Sequence, residues 1–279
     1  MKRKTFIQLS SATVAGMMLD PQNVFCMNGK IQNWAGNLTY STDKLFSAGS
    51  IEKAQKFIKS QKKLKALGTR HCFNAIADSK DQFISLLEMN KVISLDETNK
   101  TVTVGSGIKY GDLAPYLHQK GYALHNLASL PHISVAGACI TATHGSGVNN
   151  GNLSTQVNAL EFITASGEIV SLSREKNKDD FYAAVVNLGA IGVITKITLD
   201  VLPTFMVKQY VYEKLPLAEL QQHFDEIQNS GYSVSLFTDW QSDSINEVWL
   251  KVKSGNEAVH LPADFFGAKA ATKNVHPII

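Results

Sequence analysis

GTRHCFN, Gly68 to Asn74, sets glycine, arginine, histidine and cysteine within one short run. Such a run can be an ordinary turn, a metal site, a phosphate cradle or the attachment point of a cofactor. Its flanks favour a loop leaving a strand. Ser50 is placed to cap a helix running to about Lys59, with Ile51, Ala54 and Ile58 on one face. Leu64 to Leu67 then reads as a short strand that delivers the chain into the loop. Glycine permits a tight turn there, successive N–H groups can point at an anion, and Arg70 adds charge unless it serves a surface ion pair.

Further along, Lys91–Asp96 and Thr101–Gly105 read as strands joined by a polar turn at Glu97–Lys100. Tyr110–Lys120 reads as a helix stopped by Gly121. Ala128 to Asn152, ASLPHISVAGACITATHGSGVNNGN, is a run of small side chains with glycine or serine every few positions. A core helix or strand would carry bulkier residues, whereas backbone approaching a large ligand would look like this. Val157–Thr164 and Glu168–Leu172 form a hairpin turning at Ser166-Gly167. Phe181–Asn187 is a short helix, and Ala190–Val201 holds a strand with Val193, Thr195, Ile197, Leu199 and Val201 on one face. Past Pro203, a helix is expected over Pro216–Asn229 with Leu217, Leu220, Phe224 and Ile227 on one side. Strands follow around Ser233–Phe237 and Glu247–Lys253, and 258–279 shows no persistent pattern.

The chain has 279 residues, 44% of them apolar and 18% charged, enough for one large or two smaller domains. A net charge of +3 with scattered basic residues gives no reason to expect a nucleic-acid partner. Cys26, Cys72 and Cys139 are widely separated and odd in number, which provides neither a disulfide framework nor a zinc motif. The start, MKRKTF, followed by a mildly apolar run to Leu19, resembles an export signal of the twin-arginine kind. Residues 1–30 are therefore expected to be such a signal or an N-terminal extension. The protein is expected in the cytoplasm or exported to the periplasm, without stable membrane insertion.

Competing chemistries lack parts. Gly105-Ser-Gly107-Ile-Lys-Tyr-Gly111 nearly matches a dinucleotide fingerprint, yet its last glycine comes one residue late and no acidic residue follows at the usual distance. His71, His118, His125, His132 and His144 could be gathered around a metal, but no HExxH or HxH occurs. No Asp or Glu lies between Ala114 and Gln156 to complete such a site. There is no GxSxG elbow, and Cys72 beside His71 on extended backbone would point away from it. A large anionic cofactor held by backbone remains, with 128–152 as a second wall. A histidine beside such a loop is a nucleophile able to attack an electrophilic ring methyl. The residues alone leave the cofactor unspecified.

Five motifs, NWAGNLTY (Asn33–Tyr40), GTRHCFN, NLASLPHISVAGACITATHGSG (Asn126–Gly147), NLGAIGVIT (Asn187–Thr195) and SVSLFTDW (Ser233–Trp240), resemble the alditol and xylitol oxidases, in the family's order. These belong to the vanillyl-alcohol-oxidase, or PCMH-type, FAD enzymes, which include the aldonolactone oxidases. The resemblance runs from about Gln32 to about Pro277. It implies an α+β fold: a two-lobed FAD-binding domain over 31–202, then an incomplete substrate-binding cap domain over 203–279. It implies FAD joined covalently to His71, with Ala66, Leu67, Gly68, Thr69, Arg70 and Cys72 around the cofactor. Ser129, Ser134, Gly137, Thr141, Ala142, Thr143, His144 and Ile194 match further flavin contacts, and Ser129 also a serine near the substrate hydroxyl. The implied reaction oxidises a polyol alcohol with dioxygen as acceptor, giving hydrogen peroxide. Relatives continue past a His-Pro matched by His276-Pro277, so the catalytic residues are expected beyond this chain, which is expected to be a truncated member. A flavin-binding remnant without turnover and an aldonolactone oxidase are the alternatives.

Overall fold

The computed structural model describes residues 29–254 and 263–275. The export-signal expectation for residues 1–30 falls almost wholly outside the described residues, as do Cys26 and His276-Pro277. The chain forms two compact units that alternate along the sequence. One comprises 29–113, 130–141 and 157–199; the other comprises 114–129, 142–156 and the described residues from 200 onward. Among the described residues no helix is long and apolar enough to cross a membrane.

The first unit holds two sheets. One is parallel, with Phe83–Ser85 between Leu45–Ser47 and Lys65–Ala66. The helix Ile51–Ser60 forms where the sequence suggests. The Ser50 side chain accepts from Lys53 N, and Ala54 and Ile58 are buried. The other sheet has five strands in the order Val92–Asp96, Thr101–Gly105, Val193–Asp200, Val157–Ile163, Ile169–Ser173. Its 157–173 hairpin turns through Gly167 at φ +80, a left-handed conformation that glycine adopts at little cost. Val193, Thr195, Ile197, Leu199 and Val201 are all buried, as their alternation predicts. Both sheets contribute to one apolar cluster: Ile84 and Leu86 meet Ala54, Ile58, Ile163 and Val193. Each such fully buried aliphatic side chain stabilises the unit by about 1.5–3 kcal/mol.

The second unit is organised on an antiparallel sheet ordered Ser233–Phe237, Ser244–Ser254, Met206–Pro216, Ala268–Ala270, Asp264–Phe265. Its core includes Tyr212, Leu215, Leu220, Ile227, Val234, Val248 and Leu250. Tyr212 stacks on Phe265 with ring centroids 4.9 Å apart.

Four expectations change. The run 128–152 does contain a core helix, Val135–Ile140, with Val135, Ala136, Ala138 and Cys139 buried. Its small residues let the helix seat closely against neighbouring backbone. The helix expected at Phe181–Asn187 starts earlier and spans Arg174–Val185. Ser173 caps it, and a kink at Lys178 (φ 39) breaks the apolar phase that would reveal it. The helix expected over Pro216–Asn229 is two, Leu217–Gln222 and Phe224–Asn229, separated at His223. Pro216 instead ends the preceding strand. Leu220 and Ile227 are buried, while the break turns Phe224 outward, leaving it 52% exposed. The patternless tail carries two short paired strands at Asp264–Phe265 and Ala268–Ala270, too short for periodicity to register.

Candidate functional site

All of the following geometry lies within the first unit unless stated. The loop after Ala66 is pinned from the Asn33-Trp34 segment on both sides of His71. Trp34 N donates to Arg70 O at 2.8 Å, and the fully buried Asn33 donates from Nδ2 to Cys72 O at 3.1 Å. Arg70, not Gly68, takes the left-handed conformation, at φ 65. Gly68 is needed for a different reason: a Cβ there would stand 2.9 Å from Ser134 Oγ. Thr69 joins the loop to the same wall, its Oγ1 accepting from Ser134 N at 3.0 Å. Beneath the loop, Leu67 packs with Ile31, Tyr40 and Phe83.

The facing wall is the start of the helix Val135–Ile140. A Cβ on Gly137 would stand 2.8 Å from Ser134 Oγ, so two glycines flank one buried serine. Thr141 ends this helix, donating from Oγ1 to Gly137 O at 2.8 Å. Between the walls runs a narrow groove of about 70 Å³, lined by Leu67, Gly68, Ser106, Ser134, Gly137 and Ile194 among others. The groove shares Ala66, Gly189, Gly192 and Val193 with a wider cleft of about 540 Å³. Ser106 Oγ, on its lining, is buried without a hydrogen-bond partner among the described residues.

His71 is the unusual side chain. Both ring nitrogens are buried and neither has a hydrogen-bond partner among the described residues. Its ring lies 5.0 Å from that of Trp34 and 4.6 Å from that of His132, centroid to centroid. Burial lowers its pKa to about 4, assisted by the neighbouring His132 and Arg70 charges. A neutral imidazole, which keeps a lone pair on one ring nitrogen, is the nucleophilic form. Burial raises the Cys72 thiol instead, so the adjacent cysteine is held as the protonated, weakly nucleophilic thiol.

The remaining anticipated residues separate. Ala66, Leu67, Gly68, Thr69, Arg70, His71, Cys72, Ser134, Gly137, Thr141 and Ile194 belong to this unit. Ser129, Ala142, Thr143 and His144 belong to the second. There Ser129 and His144 are exposed, and a His144 ring nitrogen lies 3.0 Å from Gly145 O. Ala142 is left-handed, at φ 51. Sequence reasoning did not place Trp34 or Ser106 at the site, and it weighed His132 only as a metal ligand. Trp34 sits inside a recognised motif, but its nearness to His71 follows from pairing across a long stretch of chain.

The fold presents a groove walled by glycine-bearing backbone beside a loop that carries a neutral, unpartnered histidine. A family model described as "FAD binding domain" matches residues 45–173. Alditol oxidase from a Streptomyces species is 41% identical over 256 residues, covering 90% of this chain and 60% of that protein. L-gulonolactone oxidase from Bos taurus is 34% identical over 187 residues, covering 66% and 42% respectively. Among solved structures, alkyldihydroxyacetonephosphate synthase superposes with a TM-score of 0.65 at 14% identity, over 75% of this chain and 46% of its own. The chain belongs to the PCMH-type FAD-binding superfamily that contains the alditol oxidases, and it has that superfamily's α+β architecture. It spans about 60% of the length of the alditol oxidase it matches.

The residues fit a flavin cofactor. The groove is walled where added Cβ atoms would crowd it, Ser106 Oγ offers an unused donor and acceptor, and His71 offers two unused nitrogens.

Proposed function

We propose that this chain is the FAD-holding portion of an oxidoreductase that oxidises a polyol alcohol with dioxygen as acceptor, and that His71 is the covalent attachment point of the flavin. The observation that carries the reading is His71 itself: half-buried, with both ring nitrogens enclosed and unpartnered among the described residues and its pKa lowered, on a loop braced at the residues either side. Gly68, Ser134, Gly137 and Ile194 would hold the extended part of the cofactor, and Ser106 would donate to it. A flavin held there would supply the two-electron redox chemistry, with the polyol alcohol as hydride source and dioxygen as the final acceptor giving hydrogen peroxide. The protein's task is to orient the cofactor and exclude water from it.

Acid precipitation tests the tether. Flavin should stay with the wild-type chain and be released entirely from His71→Ala; flavin that remains bound to the variant removes His71 from the role. Peroxide production with xylitol or sorbitol tests turnover, and its absence favours a flavin-binding chain without turnover. The likeness to L-gulonolactone oxidase supports a second substrate class, aldonolactones. Comparing lactone with polyol as substrate separates the two.

A further inference from the structure

His71 does not stand alone in its loop. Trp34, His71 and His132 form a closed triangle of rings, with centroid separations of 5.0, 5.2 and 4.6 Å and mutual tilts of 31°, 33° and 42°. Trp34 arrives on the segment that fixes the loop backbone at Arg70 and Cys72. His132 arrives from the opposite wall, two residues before Ser134, whose N–H donates to Thr69. The triangle therefore ties the His71 loop to the segment that leads into the helix Val135–Ile140. His132 Nε2 is, like both His71 nitrogens, buried and unpartnered among the described residues. A buried polar ring atom without a partner costs stability, so three on two touching rings are retained against a cost of folding.

We propose that His132 is a positioning residue for His71, fixing the tilt of that ring against Trp34 and keeping it in its neutral, nucleophilic form. The inference rests on the reading of His71 as the flavin tether. Forming that tether joins a His71 nitrogen to the flavin 8α carbon. One methyl proton and the imidazole N–H proton leave, and two electrons pass to dioxygen. A protonated His71 has no lone pair for the new bond, so its charge state decides the rate. The charged groups that act on it are Arg70 on its own loop and His132 from the other wall, with Lys109 acting in turn on His132. Behind burial, the largest cause, Arg70 and, once it takes up its own proton, His132 disfavour a second positive charge on His71; burial and Lys109 lower the His132 pKa too, so its charge acts only at acid pH. Only His132 is placed to fix the ring as well.

The test compares wild type with His132→Phe, which keeps a ring against Trp34 and removes the titratable nitrogens. His71 is titrated by NMR in histidine-labelled protein prepared without flavin, and acid-stable flavin is then followed over time after adding FAD at several pH values. The expected result is a His71 midpoint about half a pH unit or more higher in the variant. The pH dependence of tethering should move by the same amount, with unchanged non-covalent FAD affinity. An unchanged midpoint overturns the proposal, as does a shift accompanied by lost chemical-shift dispersion. His132→Asn, tested alongside, should lower the tethering rate further because it removes the ring; a rate equal to wild type also overturns it. Absence of acid-stable flavin in wild type would refute the tether, while the NMR midpoints still decide what His132 does to His71.

Discussion

Two glycine-bearing loops of the first unit look alike in sequence and differ in what their glycines meet. At Gly105 and Gly107 an added Cβ would stand 2.2 Å from Met89 O and 2.3 Å from Leu86 O. These are backbone atoms and cannot swing away. At Gly68 the nearest atom would be Ser134 Oγ at 2.9 Å, a side-chain oxygen that can rotate. The near-fingerprint at 105–111 is thus a packing device, where strand and loop press together. The glycine of GTRHCFN keeps open a groove. Glycine spacing alone does not separate the two cases; the neighbour's identity does.

Gly107→Ala should cost about 3 kcal/mol or more, because backbone must shift to admit the methyl group. Thermal unfolding checks it, and a loss below 1 kcal/mol would mean that the 86–91 segment yields easily. An intermediate effect follows from His71. Its folded-state pKa lies below the ordinary histidine value, so the unfolded chain takes up a proton first as pH falls. The folded state then loses stability between about pH 6.5 and the folded value near 4, by about 1–2 kcal/mol once partial solvent screening is allowed for. Above this window the group contributes no pH dependence. His71→Phe should flatten that segment of the stability–pH curve measured by urea unfolding, and an unchanged curve would count against the burial assigned to the ring. The smallest effect on stability belongs to Gly68→Ala, about 1 kcal/mol or less. It should nonetheless weaken non-covalent FAD binding roughly tenfold, equivalent to about 1.4 kcal/mol. Adding Ser134→Ala should recover much of that loss, since it removes the atom the new methyl meets. Recovery in the double variant would sharpen the contrast with Gly107, where no single side-chain change can help.

Sequence revealed best what depends on neighbours along the chain. The Ser50-capped helix, the Gly167 hairpin and the alternating strand at Val193–Asp200 all follow from local spacing and turn chemistry. The parallel strands Leu45–Ser47 and Phe83–Ser85 were not legible. Three residues carry no period, and each finds its partner far along the chain. Phe83 and Ile84 are completely buried, yet nothing local distinguishes them from loop hydrophobics. At the site, GTRHCFN read from the sequence as a candidate cofactor loop, and the family resemblance singled out His71 within it. His132 was visible only as one histidine among several. Its role depends on meeting a ring 61 positions earlier, a pairing fixed by the register of the two walls.

The strand order of the five-stranded sheet sets a timetable for synthesis. Val193–Asp200 lies in the middle of the sheet, between Thr101–Gly105 and Val157–Ile163, yet it is the last of the five to leave the ribosome. The Val92–Gly105 and Val157–Ser173 hairpins can form as they emerge. Each must then wait with an unpaired edge until residue 200 has been made. Closing the sheet inserts a strand between two preformed halves, a long-range event that folds slowly and exposes strand edges meanwhile. The groove is completed at the same moment, because Ile194 on this last strand is part of its lining.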